Sequence, residues 1–115
     1  MEDYKTRVPF EQRKSECERI LRKYPDRIPI IVSKCKNCKL SDIDKEKYLV
    51  PKDMNLGQFI YVIRKRIRLE SSQALFIMIN NSLQPSNKLI QEMYENLKAS
   101  DGFLYIQYSS ENTFG

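Results

Sequence analysis

The chain has no histidine and only three glycines among its 115 residues. Without histidine there is no Ser-His-Asp or Cys-His catalytic arrangement, no His-bound zinc, and no side chain that ordinarily shuttles protons near neutrality. Gly57, Gly102 and Gly115 lie too far apart for a phosphate-cradling loop, which needs clustered glycines opening a helix. These absences argue against hydrolase, kinase and dehydrogenase chemistry. Long apolar runs are also missing. The longest, Ala74-Leu75-Phe76-Ile77-Met78-Ile79, falls far short of the roughly twenty residues that span a bilayer. Cysteine is scarce and odd in number, three in all, and the start Met1-Glu2-Asp3-Tyr4-Lys5 carries no apolar signal region. A reducing, cytosolic setting without structural disulfides is expected.

What is present describes one folded domain: 41% hydrophobic and 30% charged residues, at a length that buries roughly two-thirds of the unfolded surface. The net charge of +5 is unevenly distributed. Residues 1–68 hold 18 basic and 10 acidic side chains, and residues 69–115 hold 2 and 5. The basic first part suits an acidic peptide, anionic lipid head groups or nucleic acid, and composition does not choose among them.

Phe10, Cys17, Ile20, Leu21 and Tyr24 recur at helical spacing, so residues 10–24 read as an amphipathic helix closed by Pro25, with a short helical turn over 4–8 before it. Residues 27–33, rich in β-branched side chains, read as a strand buried on both faces, with Pro29 at its start or on an edge. Lys47–Pro51 reads as a shorter strand. A second helix starts near Asp53 and buries Leu56, Phe59, Ile60, Ile63 and Ile67, with Arg64-Lys65-Arg66 in its last turns. Ala74–Ile79, the most apolar segment, is expected to be a central strand, followed by a turn at Asn80-Asn81-Ser82. A short helix over 89–97 and a strand over 103–108 complete an α+β order: a four-stranded mixed sheet around one helix, with two additional N-terminal helices. From the second helix onward that order is that of a β-grasp, although four strands with one long crossover helix also allow other α+β arrangements. The expected organisation is a helical extension, 1–26, on a core, 27–115, that ends in a flexible tail.

Several blocks carry a family resemblance: Tyr24-Pro25-Asp26-Arg27-Ile28-Pro29-Ile30-Ile31-Val32, Asp44-Lys45-Glu46-Lys47-Tyr48-Leu49-Val50-Pro51, Gly57-Gln58-Phe59, Ile63-Arg64-Lys65-Arg66-Ile67, Leu75-Phe76, Asn80-Asn81 and Phe103-Leu104-Tyr105-Ile106. In this order and spacing the chain resembles the autophagy ubiquitin-like modifiers, nearest the GABA-receptor-associated-protein branch, over about residues 9–115. The resemblance implies a ubiquitin-like β-grasp with N-terminal helices, in agreement with the element order, and a non-enzymatic modifier activated at the carboxylate of Gly115 and joined to phosphatidylethanolamine. It needs no cofactor or metal of its own. Glycine suits the role because, lacking a β-carbon, it enters a narrow channel and adopts backbone angles closed to other residues. The implied partners are activating and conjugating enzymes, a processing cysteine protease, and receptors and adaptors with an aromatic-x-x-aliphatic motif. The implied location is cytoplasmic when free and the autophagosome membrane when lipidated.

The resemblance also implies a peptide groove beside Lys47–Pro51. Its aromatic pocket comprises Glu16, Ile20, Pro29, Lys47, Leu49 and Phe103. Its aliphatic pocket comprises Tyr48, Val50, Pro51, Met54, Phe59 and Val62, and Arg27, Lys45, Lys47 and Arg66 attract acidic residues of the motif. Taken singly, Ile20 and Phe59 read equally well as core, whereas Val62 lies off the main apolar stripe of its helix. Met54 stands where the family more usually has Leu, a volume-conserving exchange for a more adaptable side chain. Cys35-Lys36-Asn37-Cys38 has redox or zinc-like spacing but no second cysteine pair, and reads as an exposed loop pair rather than a metal site. Two other functions fit parts of the pattern: an unconjugated trafficking or cytoskeletal adaptor, which shares the groove without needing Gly115, and a basic nucleic-acid-binding module built on Arg64-Lys65-Arg66.

Overall fold

The computed structural model describes residues 3–36 and 38–111. Helices α1 (Tyr4–Arg7) and α2 (Phe10–Lys23) precede β1 (Arg27–Lys34) and β2 (Lys47–Pro51). Next come α3 (Leu56–Arg66), β3 (Phe76–Ile79), β4 (Ser82–Leu83), α4 (Ile90–Leu97) and β5 (Leu104–Ser109). The strands form one mixed sheet in the order β2-β1-β5-β3-β4, in which only the β1–β5 pair is parallel.

Two expectations require correction and a third is refined. The sheet has five strands, not four, because Asn80 and Asn81 both take positive φ, 53° and 61°, and fold Ser82–Leu83 back as a two-residue hairpin partner of β3. A strand this short shows no periodicity in sequence. The central strand is β5, not the apolar run ending at Ile79, and β3 is interior only because β4 covers its far edge. Apolar continuity reports cover on both faces rather than the number of neighbouring strands. Lastly, α3 begins at Leu56, near Asp53 as expected, but its cap is Asn55 rather than Asp53: the Asn55 side chain accepts from Gln58 N–H while Gln58 Oε1 accepts from Asn55 N–H, closing a capping box.

The odd–even alternation of β1 divides the core. Ile28, Ile30 and Val32 join Tyr48, Val50, Leu104, Ile106 and Tyr108 against Leu56, Phe59 and Ile63 of α3. On the opposite face, Ile31 meets Tyr4, Cys17 and Phe103 beneath the N-terminal helices. Pro29 fits inside this sheet because Val32 N–H donates to Glu46 O on the β2 side, 2.8 Å. Alternation then directs the Pro29 nitrogen toward β5, whose ladder starts only at Ile30↔Leu104, so the missing N–H breaks no pairing.

One buried carboxylate fastens the helical face. Asp101 accepts from Arg13 Nε at 2.9 Å, Phe103 N–H at 2.9 Å and Tyr105 Oη at 2.5 Å. The same Arg13 guanidinium donates to Val8 O at 2.5 Å and Lys5 O at 3.0 Å, tying the α1–α2 connection to the turn before β5. Next to it Gly102 has φ +98°, and a β-carbon there would meet Cys17 Sγ at 2.7 Å, so this turn requires glycine. Replacing Asp101 by Ala removes the carboxylate from the Arg13 charge and leaves the Phe103 N–H and Tyr105 hydroxyl without their acceptor, and is expected to lower stability by about 3 kcal/mol. A urea titration checks this: a loss below about 1 kcal/mol would place the pair with ordinary surface ion pairs.

Candidate functional site

The edge strand β2 is the feature on which the groove residues converge. In the antiparallel register Tyr48 faces Ile30 and Val50 faces Ile28, with Leu49 opposite Pro29. Because Glu46 O accepts from Val32, the hydrogen-bonded pairs fall at the even-numbered β2 residues. The backbone carbonyls of Lys47, Leu49 and Pro51, and the N–H groups of Lys47 and Leu49, therefore point away from the sheet. Such an edge is a template for another extended chain.

Side-chain alternation places the two sets of residues expected to line a groove on opposite faces of this edge. Lys47 and Leu49 lie on the face of Pro29 and the N-terminal helices, beside Glu16 and Ile20 of α2. Phe103 lies deeper on that side: it is fully buried and packs edge-on to Tyr4 with ring centroids 5.8 Å apart. On the other face, Tyr48 and Val50 are buried against Phe59 of α3, with Tyr48 and Phe59 rings edge-on at 5.4 Å. Met54 and Val62 pack against the same cluster and remain half-exposed. Pro51 is exposed. The residues thus separate by depth. Pro29, Phe103, Tyr48, Val50 and Phe59 are core and form floors, whereas Ile20, Lys47, Leu49, Pro51, Met54 and Val62 present accessible surface.

The charges at the mouth are already partnered within the chain. Glu16 accepts from the Lys47 ammonium at 2.5 Å and from the Tyr4 hydroxyl. Arg66 makes a two-pronged contact with Asp44, at 3.0 and 3.2 Å. Arg27 reaches the outward carbonyl of Leu49 at 3.4 Å, and Lys45 lies over the Tyr48 ring, 5.1 Å from its centroid. Asp44 was absent from the site residues read in the sequence. Its signal was the alternating block Asp44-Lys45-Glu46-Lys47, but spacing alone does not reveal that Asp44 competes for Arg66. The Tyr48 hydroxyl is buried without a hydrogen-bond partner among the described residues, and burial pushes its pKa up to about 12.

Arg64, grouped in the sequence with Lys65 and Arg66 as a basic cluster, donates to Glu70 O and Gln73 O, both at 2.8 Å, and Lys65 lies over the Tyr61 ring. These contacts order the loop after α3 and divide the cluster rather than aligning it along a strand of phosphates. Gly115, the expected conjugation residue, lies outside the described residues, as does the tail from residue 112. Among the described residues no group of three or more Cys, Asp or Glu side chains converges to hold a metal, and no helix is long and apolar enough to cross a membrane.

Burial raises the pKa of Glu16, but hydrogen bonds from Lys47 and Tyr4 outweigh it and hold the carboxyl below its ordinary 4.5. A depressed pKa contributes stability above the unfolded value that is lost as pH falls through the folded one. Between pH 6 and 3 the thermal midpoint of the protein is therefore expected to fall more steeply than that of Glu16→Gln, by differential scanning calorimetry. Parallel curves would remove Glu16 from the forces holding α1 and Lys47 together.

A family model described as "Autophagy protein Atg8 ubiquitin like" matches residues 12–115. The chain is 57% identical over 106 residues to "Autophagy-related protein 8e" of Arabidopsis thaliana, covering 92% of this chain and 87% of that protein. Among solved structures, Trypanosoma brucei ATG8 superposes with TM-score 0.92 at 42% identity, covering 100% of this chain and 99% of the other. Plasmodium falciparum Atg8 in complex with a Plasmodium falciparum Atg3 peptide superposes with TM-score 0.90 at 33% identity, covering 99% and 100%.

Proposed function

The chain belongs to the Atg8 family of ubiquitin-like autophagy proteins, a non-enzymatic modifier; from that premise we propose that it is joined through Gly115 to phosphatidylethanolamine and, once on the membrane, docks extended aromatic-x-x-aliphatic peptides along β2. The observation that carries the docking half is the division of the β2 edge into two faces. An extended peptide alternates its side chains with period two, so positions three apart point to opposite sides. An aromatic residue directed toward Ile20, Lys47 and Leu49 therefore sends the residue three positions on toward Met54 and Val62, while the outward backbone groups of Lys47 and Leu49 pair with the peptide backbone.

The charged rim supports an acidic flank on that peptide. Arg66 and Lys47 already hold Asp44 and Glu16, so a peptide carboxylate replaces an existing partner rather than filling a vacancy. Exchange of one exposed partner for another adds little affinity, and the expected benefit is a faster, salt-sensitive encounter. Lys45 and Arg27 carry no competing carboxylate contact among the described residues and are the first to meet the ligand.

In this reading the partners are the activating and conjugating enzymes of the pathway, a processing cysteine protease, and receptors bearing the motif; no nucleic acid is among them. The protein is cytoplasmic when free and on autophagosome membranes when lipidated. Kinship nearest the GABA-receptor-associated-protein branch, and the division into a helical extension over 1–26 and a core over 27–115, are parts of the same proposal. They rest on the sequence blocks and on the docking of α1 and α2 against the sheet.

Two experiments test the proposal. Incubation with cognate activating and conjugating enzymes, ATP and phosphatidylethanolamine liposomes is expected to give a lipidated product that Gly115→Ala abolishes. A wild-type chain that yields no product would instead favour an unconjugated adaptor. For docking, Leu49→Ala is preferred to any change at the buried Tyr48, because Leu49 is half-exposed and its truncation spares the α3 core. Affinity for an acidic aromatic-x-x-leucine peptide, by titration calorimetry, is expected to drop about tenfold or more. Unchanged affinity in a variant that keeps its thermal midpoint would move the docking site away from β2.

A further inference from the structure

Cys35 and Cys38 are not used by the proposed conjugation or docking, yet the backbone of each is fixed by hydrogen bonds. Cys35 N–H donates to Tyr108 O at 2.9 Å, carrying the parallel β1–β5 pairing one residue past β1. Cys38 N–H then donates back to Cys35 O at 3.2 Å, which closes a turn. A hydrogen bond from the fourth residue of a turn to the first keeps their Cα atoms within about 7 Å. A disulfide spans Cα separations of roughly 4.4–6.8 Å. The rest of the loop is pinned independently, by Tyr108 Oη donating to Ser41 O at 2.6 Å and by Lys34 Nζ reaching Leu40 O at 3.1 Å and Asp42 at 3.3 Å.

We propose that Cys35 and Cys38 form a reversible thiol–disulfide site, oxidised by a small-molecule disulfide such as glutathione disulfide, with Cys38 as the attacking thiol and Cys35 as the resolving one. The two cysteines differ in the way this requires. Cys38 Sγ accepts from the Leu40 backbone N–H, 3.3 Å from its nitrogen, and lies 3.6 Å from Ser110 Oγ, a hydroxyl able to donate to a thiolate. Burial raises its pKa, and these contacts more than offset that, leaving the thiol below its ordinary value. Burial and then the neighbouring charge of Cys38 raise Cys35. The third cysteine, Cys17, is fully buried beneath the Gly102 turn, where burial pushes its pKa up to about 11.

The Cys38 thiolate attacks one sulfur of glutathione disulfide, forming a mixed disulfide as the second glutathione leaves as thiolate and takes up a proton. Cys35 gives up its proton, attacks the Cys38 sulfur and expels the remaining glutathione. Two protein thiols are oxidised to one disulfide, and one glutathione disulfide is reduced to two glutathione thiols. Zinc would need ligands beyond this pair, and no third Cys, Asp or Glu joins it among the described residues. The disulfide needs no further protein group. Half-buried at a loop, it is of the labile kind that cytosolic thiols can reduce again. Oxidation also withdraws the Cys38 thiol from Ser110, at the root of the segment leading to Gly115.

The test uses the full chain in glutathione buffers at neutral pH, read by alkylation of remaining thiols and intact mass. The expected product has lost two hydrogens and two alkylatable thiols, keeps Cys17, and returns to the dithiol with dithiothreitol. Cys35→Ser is expected to stop at a single glutathione adduct on Cys38, and Cys38→Ser to react at least about fivefold more slowly. Failure of the two-thiol product to form in excess glutathione disulfide, or equal adduct rates in the two variants, would overturn the proposal. Neither readout depends on lipidation or peptide docking, so it stands or falls separately from the proposed function.

Discussion

The architecture depends on the carboxylate of Asp101. It is almost completely buried in the turn before the central strand, and it is satisfied by three donors from separate places: Arg13 on α2, the backbone of Phe103, and the hydroxyl of Tyr105. A charge in such a place is tolerable only when paired and hydrogen-bonded. The pairing dictates where the N-terminal helices sit. Arg13 simultaneously holds the carbonyls of Lys5 and Val8, so α1 and α2 are located relative to β5 by one guanidinium. Moving the helices off this anchor would uncover Ile31 and Phe103 and displace Glu16 and Ile20 from the side of the proposed groove.

With helices on both sides, β1 is buried on both faces, and its antiparallel partner β2 becomes an edge flanked by two different hydrophobic environments. One five-residue strand thereby contributes residues to both sides of the proposed groove. The same placement explains why so many groove residues are core. Tyr48, Val50 and Phe59 are buried beneath the aliphatic side of the proposed groove, and its accessible surface comes from their half-exposed neighbours Met54 and Val62. The ion pairs at the rim hold the long side chains in place before any ligand arrives.

Much of this was legible in the chain. The helices, the main strands and the asparagine turn follow from periodicity and local backbone preference, and the family follows from the ordered blocks. Less legible were features that depend on which segments lie side by side. The second strand of the hairpin at Asn80-Asn81 is too short to have a pattern. The start of α3 was decided by a reciprocal Asn55–Gln58 cap, although Asp53 is as good a capping residue in isolation.

The sequence by itself determined the absence of histidine-based catalysis, the basic bias of the first sixty-eight residues and the α+β order, because composition and local periodicity are properties of the chain alone, and its ordered blocks carried the ubiquitin-like kinship. Only the tertiary structure decided that β5 occupies the centre, that the groove's acids and bases are paired with one another, and that Cys35 and Cys38 share a turn against Ser110. These are relations between residues distant in sequence. They are set by which faces pack together, and the scarcity of glycine noted at the outset acquires a particular meaning there: Gly102 is required where the chain turns over Cys17 into the central strand.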